Sequence, residues 1–247
     1  MGKLMTDHQL IEHKTWPVAL RWFHWINFSC IFGLFAMGLI MLNKSSLGIS
    51  GNEAKIALKV VHVLIGYVFV SNLVIRLVLG FVGPANMRWS KVFPGRGFGA
   101  ELKRFKAAET VGRGHAWLGH NPKAKLALSV IYLLMFTMAI TGLVRAGTDI
   151  YYPPFGSYVA SQVAAEGVDP ASLIPYDKTD VDEAANKALG EFKGPFGLVH
   201  IYSSYILMAL ILLHIFSVVW VEVRHQGSLI SSIFSGRKIF SGPPEDQ

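Results

Sequence analysis

Four stretches of this chain, 18–42, 56–82, 124–144 and 196–223, are each long and apolar enough to cross a bilayer. About 20 predominantly apolar residues, wound as a helix, span the ~30 Å hydrocarbon core. Lipid supplies no hydrogen-bond partner, so a spanning segment must satisfy its own backbone, and an open strand edge is excluded. The constraint predicts an all-α membrane protein: one domain built as a four-transmembrane-helix bundle. The third stretch is the purest, without a charge from Leu126 to Leu143. Composition agrees, since 52% of the 247 residues are hydrophobic, more than in soluble domains. The first stretch follows a polar lead, exceeds the roughly 7–15 residue apolar region of a secretory signal and has no clear small-x-small cleavage site. It reads as a retained span.

The net charge of +7 raises nucleic acid as a partner, but its distribution argues against one. Residues 81–125 hold nine Lys/Arg against two Glu, whereas 147–196 hold three Lys against eight Asp/Glu. Such asymmetry is expected across a membrane, not along a nucleic-acid groove. The basic connection 83–123 is therefore expected in the cytoplasm, with both termini. Lys3, Lys14 and Arg21 at one end and Arg224, Arg237 and Lys238 at the other agree. The acidic connection 147–195 then faces the periplasm.

Outside the spans, AELKRFKAA (100–108) and SLISSIF (228–234) read as short helices in the membrane interface. Turn signals stand at Pro153-Pro154, Asp169-Pro170 and Gly194-Pro195, with a short helix near 182–189. The first ~15 residues and the closing GPPEDQ read as mobile termini. A single cysteine, Cys30, and no C-x-x-C-H exclude disulfides, Cys-ligated iron–sulfur clusters and covalent haem.

Histidines stand inside three of the four spans: His24 in the first, His62 in the second, His200 and His214 in the fourth. An ionisable ring at membrane depth is costly and marks a functional site by default. The 14 residues from His200 to His214 rise ~21 Å along a helix and return to within ~40° of the same direction. One helix thus offers imidazoles to one interior near opposite sides of the membrane. With the N-terminus inside, depth pairs His24 with His214 on the cytoplasmic side and His62 with His200 on the periplasmic side. Each pair joins two helices, as bundle sites do. Two imidazoles suit both axial positions of an iron porphyrin, leaving none open for oxygen and favouring electron transfer. Packing histidines are the simplest rival, but four that pair by depth make coincidence a poor account. Two nitrogens are a thin shell for zinc, and no intramembrane Asp or Glu accompanies the histidines to complete a proton relay. His8 and His13 in the lead and His225 at a helix end read as bland. His115 and His120 read as surface residues.

Several neighbours have two readings. Gly66 lies one turn beyond His62 on the same face, where a missing side chain admits a flat macrocycle. Gly33, Gly38 and Gly142 do so equally well, although close helix packing is the simpler role for each alone. Arg21, one turn from His24, and Lys59, one turn from His62, either meet haem propionates or snorkel to headgroups. Asn121 before Pro122 caps the third helix, a role compatible with holding a quinone carbonyl.

With these residues in place, the chain resembles the bacterial dihaem cytochrome b561 family, which includes the b-type cytochrome subunit of membrane nickel–iron hydrogenases. The resemblance rests on VALRWFHW (18–25), HVLIGYVFVSNLVIR (62–76), GHNP (119–122), the His200–His214 spacing and LISSIFSGRK (229–238). It implies His24, His62, His200 and His214 as ligands of two non-covalent haem b groups in the bacterial inner membrane. It further implies electron transfer between the quinone pool and a periplasmic redox protein or hydrogenase-type subunits, as a subunit of an oxidoreductase complex. Lys123-Ala124-Lys125 departs from the glycine many relatives carry after GHNP. The acidic connection is also longer than in minimal members that act alone as superoxide:quinone oxidoreductases, which favours a partnered subunit. A non-haem transporter or channel is the remaining alternative, and the spans offer few charges to line a pore.

Overall fold

A computed structural model describes residues 11–113, 116–225, 228–240 and 243–246. His8, His115, the side chain of His225 and the first ten residues lie outside the described residues. In chain order the elements are strand β1 (Ile11–Lys14), helices α1 (Val18–Leu42), α2 (Asn52–Val82), α3 (Trp89–Val92), α4 (Phe98–Thr110), α5 (Pro122–Ile150), α6 (Gly156–Val163), α7 (Glu183–His225) and α8 (Leu229–Ser235), and strand β2 (Arg237–Phe240). α1, α2, α5 and α7 are each long and apolar enough to cross a membrane. The protein is an all-α, multi-pass membrane protein, and α4 and α8 stand where the two short interfacial helices were expected.

Two boundaries differ from the sequence reading. α5 continues past Val144 to Ile150, and α7 starts at Glu183 and runs through Gly194-Pro195, where a turn was expected. Proline costs a helix one donor, but the turns that lead up to it are anchored. Asp182 Oδ1 accepts the Ala185 amide at 2.7 Å, and Lys193 Nζ donates to the Thr148 carbonyl at 3.3 Å. Ala185 and Leu189 also pack on the buried cluster of Ala160, Val163 and Leu173. Tertiary contact outweighs the local turn signal.

The chain forms two compact units, one of Met1–Trp25, Val74–Tyr132 and Ala209–Gln247, the other of Ile26–Leu73 and Leu133–Met208. Each unit draws on all four spanning helices.

In the first unit the described parts of the termini are not loose. β1 pairs antiparallel with β2, Ile11 opposite Phe240 and Lys14 opposite Arg237. Asp246 accepts the amides of Leu118 and Gly119 at 2.7 and 2.8 Å, and Lys238 Nζ donates to the carbonyls of Trp117 and Leu118, both at 2.9 Å. The C-terminal segment thus straps the loop ahead of α5, because that loop's polar backbone has no helix or sheet of its own to satisfy it. α8 is docked on α7 through Glu222, whose carboxylate accepts the amides of Leu229 and Ile230. Arg76 is buried among aromatic rings: its Nε donates to the Tyr132 hydroxyl at 3.1 Å and its guanidinium lies 4.1 Å from the Trp89 ring centre. Trp89 in turn lies flat on Gly80, where a Cβ would fall inside the indole.

In the second unit Val63, Ala146 and Ile150 form a buried cluster joining α2 to α5. Buried Asn27 of α1 donates to Met135 Sδ at 3.6 Å and receives Asn72 Nδ2 at 3.5 Å. Polar groups on neighbouring helices thereby satisfy one another where water is absent.

Gly80→Ala is expected to displace Trp89 from Arg76 and destabilise the protein by roughly 1–3 kcal/mol, the usual cost of overpacking. A thermal unfolding midpoint in detergent equal to that of the parent chain would refute this.

Candidate functional site

The second unit brings the rings of His62 of α2 and His200 of α7 opposite one another in an edge-on arrangement. Their ring centroids are 6.4 Å apart, with the ring planes inclined at 67°. A metal–imidazole bond of about 2 Å on each side, with ~1.1 Å from nitrogen to ring centre, sets two axial imidazoles about 6 Å apart. The observed separation therefore fits a metal held between the rings. Among the described residues no cluster of three or more His, Cys, Asp or Glu is placed to hold a metal ion, so the pair stands as a two-nitrogen site. Both rings border a mainly apolar cavity of about 440 Å³, within the range of small-molecule and cofactor pockets.

The cavity wall explains the glycines. Gly38 and Gly66 line it, and a Cβ on either would meet nothing within 4 Å. Gly142 also lines it, and a Cβ there would meet His200 Cε1 at 3.4 Å. Gly33 behaves otherwise: a Cβ would meet Ile65 Cδ1 at 3.4 Å, so it serves helix packing. The open space beside Gly38 and Gly66, next to the paired imidazoles, suits a planar macrocycle.

At one end of the cavity, Lys59 and Arg145 converge on Asp149. Lys59 Nζ lies 2.6 Å and Arg145 Nη2 2.9 Å from Asp149 Oδ2, and Lys193 Nζ lies 3.2 Å from Oδ1. Three cations around one buried carboxylate leave an excess of positive charge, arranged to receive acidic groups such as porphyrin propionates. Lys59 is therefore tied to protein rather than snorkelling to headgroups. Arg145 and Asp149 were missed because the third span was ended at Val144; their i,i+4 spacing on a longer helix was the available signal. Asp149 also corrects the expectation that no carboxylate accompanies the histidines. It is not open to relay protons, however, because three cations occupy its oxygens.

In the first unit His24 of α1 and His214 of α7 lie close enough to interact electrostatically. His24 Nδ1 is buried without a hydrogen-bond partner, as is His62 Nδ1 in the second unit. An imidazole held for metal binding through its other nitrogen is one condition in which such an orphan arises. Arg21 Nη1 donates to the Phe234 carbonyl at the end of α8, and its Nε is buried without a partner. Asn121 Oδ1 accepts the Ala124 amide at 2.8 Å, so it caps α5 with Pro122 at the first helical position.

His120 is not the surface residue expected. Its ring packs against Trp16, centroids 5.0 Å apart, under the strap that carries Lys238. Burial pushes its imidazole down to about 4, and the charges of Lys238, Arg76 and Lys125 act in the same direction, against a hydrogen bond with the Lys91 backbone. Burial likewise lowers the Lys238 ammonium to about 8, opposed by Asp246. The contacts come from both ends of the chain, and no local pattern around GHNP announces them. His13 lies in β1 with its ring 5.8 Å from Phe240.

The model of the family described as prokaryotic cytochrome b561 matches residues 15–236, most of the chain. No curated protein and no solved structure gives a significant match.

Two outcomes follow from these contacts. Asp149→Asn leaves three cations facing one another and is expected to cost about 1–3 kcal/mol. That is less than for a fully buried pair, because the cations reach water. Thermal unfolding in detergent reads it, and no loss would refute the hub. Because the folded His120 pKa, about 4, lies below the ordinary imidazole value of 6.5, the unfolded state binds the proton first. Stability held above pH ~6.5 is then lost as pH falls towards ~4. His120→Gln is expected to flatten that part of the stability–pH curve, and an unchanged slope would refute the assignment.

Proposed function

The chain belongs to the prokaryotic cytochrome b561 family, and on that premise we propose that it is a dihaem conduit passing electrons across the bacterial inner membrane, between the quinone pool and a periplasmic redox partner. Members of this family are membrane b-type cytochromes of transmembrane electron transfer and bind haem b. In this reading His62 and His200 hold one haem, and His24 and His214 hold the second. The observation that carries it is the pair of opposed imidazoles, 6.4 Å apart on different helices and beside a mainly apolar cavity that three glycines help to line.

Haem b between two imidazoles supplies a one-electron ferric–ferrous couple with no open coordination position. The chain's own residues do the rest. The histidines hold and orient the group, and the Leu, Val and Phe lining of the cavity keeps water away. Lys59 and Arg145 supply cationic donors for propionates at one site, and Arg21 does so beside His24 at the other. Asn121 spends its side-chain oxygen on the helix cap, which leaves its amide NH2 to donate to a quinone carbonyl. The basic 83–123 connection supports a cytoplasmic location for that end and for both termini, by the positive-inside rule.

The other end then faces the periplasm. Between α5 and α7 lie residues 151–182, which carry Glu166, Asp169, Asp177, Asp180 and Asp182. This acidic surface suits a periplasmic redox protein or hydrogenase-type subunit that presents positive charge.

The purified chain is expected to give a reduced-minus-oxidised spectrum of b type with two haems per chain, and His200→Ala and His214→Ala to lose one each. Fewer than two haems in the parent chain, or full retention in both variants, would overturn the assignment.

A further inference from the structure

Resting on His200 as a haem ligand, we propose that Thr141 is a positioning residue that fixes the tautomer of His200 and strengthens it as a donor to iron. Thr141 of α5 is buried, 5% exposed. Its Oγ1 stands 2.8 Å from His200 Nδ1 and 2.7 Å from the carbonyl of Thr137, one turn back on its own helix. A hydroxyl has one hydrogen and two lone pairs, whereas a carbonyl only accepts. Were the hydrogen given to the imidazole, two lone-pair oxygens would face each other at 2.7 Å, which is repulsive. The hydrogen therefore goes to Thr137, and Thr141 Oγ1 accepts from His200 Nδ1–H.

That assignment decides the chemistry of the ring. With the proton on Nδ1, the lone pair lies on Nε2, the nitrogen left for a metal. The back-bond to Thr137 pins the hydroxyl, so the acceptor does not rotate away. The next residue adds a second constraint: Gly142 lies so close to the ring that a Cβ there would meet His200 Cε1 at 3.4 Å. One turn of α5 thus seats His200 along the edge that bears Nδ1 and Cε1.

The imidazoles differ in this respect. Nδ1 of His62 and Nδ1 of His24 are buried with no hydrogen-bond partner, whereas His200 has a fixed acceptor. A hydrogen bond from the outer ring nitrogen raises the basicity of the ligating one. A more basic ligand favours the ferric state, so Thr141 holds the potential of the His62/His200 site below the value it would have without the hydroxyl.

The test uses the full-length, haem-loaded protein in detergent, with Thr141→Val to remove the hydroxyl at nearly constant shape and Thr141→Ser to keep it. Redox titration followed in the visible spectrum is expected to show one of two haem components moving to higher potential in Thr141→Val, the other unmoved, and Thr141→Ser returning to the parent value. Loss of a single haem in Thr141→Val with full retention in Thr141→Ser supports the proposal too, since only the hydroxyl differs in kind. Unchanged potentials in Thr141→Val at full haem content would overturn it, as would equal shifts or equal haem loss in both variants. The parent chain's haem count is read first and reports separately on the ligand assignment itself.

Discussion

A polar side chain inside a membrane span must find its partner within the protein, and the sites of this molecule follow from how each one does so. Arg76 finds aromatic faces and a tyrosine hydroxyl. Asp149 finds three cations, and His200 finds a threonine whose own hydrogen is already engaged. His62 and His24 leave one ring nitrogen without a protein partner. Hydrocarbon favours the first three of these solutions, since the penalty for an unsatisfied polar group there is several kcal/mol. The spanning helices are set by hydrophobicity, and these few polar contacts add to the apolar packing that joins them.

The two charged clusters solve the problem in opposite ways. Around Arg76 a delocalised cation is spread over rings whose faces are negative, which stabilises charge without introducing a carboxylate. Around Asp149 a single carboxylate is outnumbered by lysine and arginine at the end of a cavity. Excess positive charge at a cavity end is a feature of anion recognition rather than of structural neutralisation. The first cluster therefore reads as architecture and the second as part of a binding site.

Sequence alone disclosed what depends on local pattern. Hydrophobic length gave four helices, and α1 ends where its apolar run ends. Asn121-Pro122 predicted the cap that Asn121 makes. What escaped was whatever depends on partners far along the chain: Lys59 and Asp149 are 90 residues apart, and Lys238 reaches a carbonyl 121 residues away. Gly194-Pro195 misled for the same reason, since a local breaker was outweighed by the anchors of Lys193, Ala185 and Leu189. His120 looked exposed because nothing near GHNP reveals that Trp16 packs on its ring and that Lys238 lies close by.

The glycines carry this argument to its most local form. On sequence Gly33, Gly38, Gly66 and Gly142 are equivalent, small residues in apolar helices for which packing is an adequate explanation. Only the atoms opposite distinguish them. Ile65 fills the space before Gly33, so that glycine lets two helices approach. Gly38 and Gly66 face the cavity with nothing against them, and a helix–helix contact cannot account for either. Gly142 rests on the edge of His200, where a methyl group would press on the ring that Thr141 orients. An absent side chain is thus informative only through its surroundings. Here those surroundings place three glycines on the wall of one cavity, one of them against a histidine that borders it.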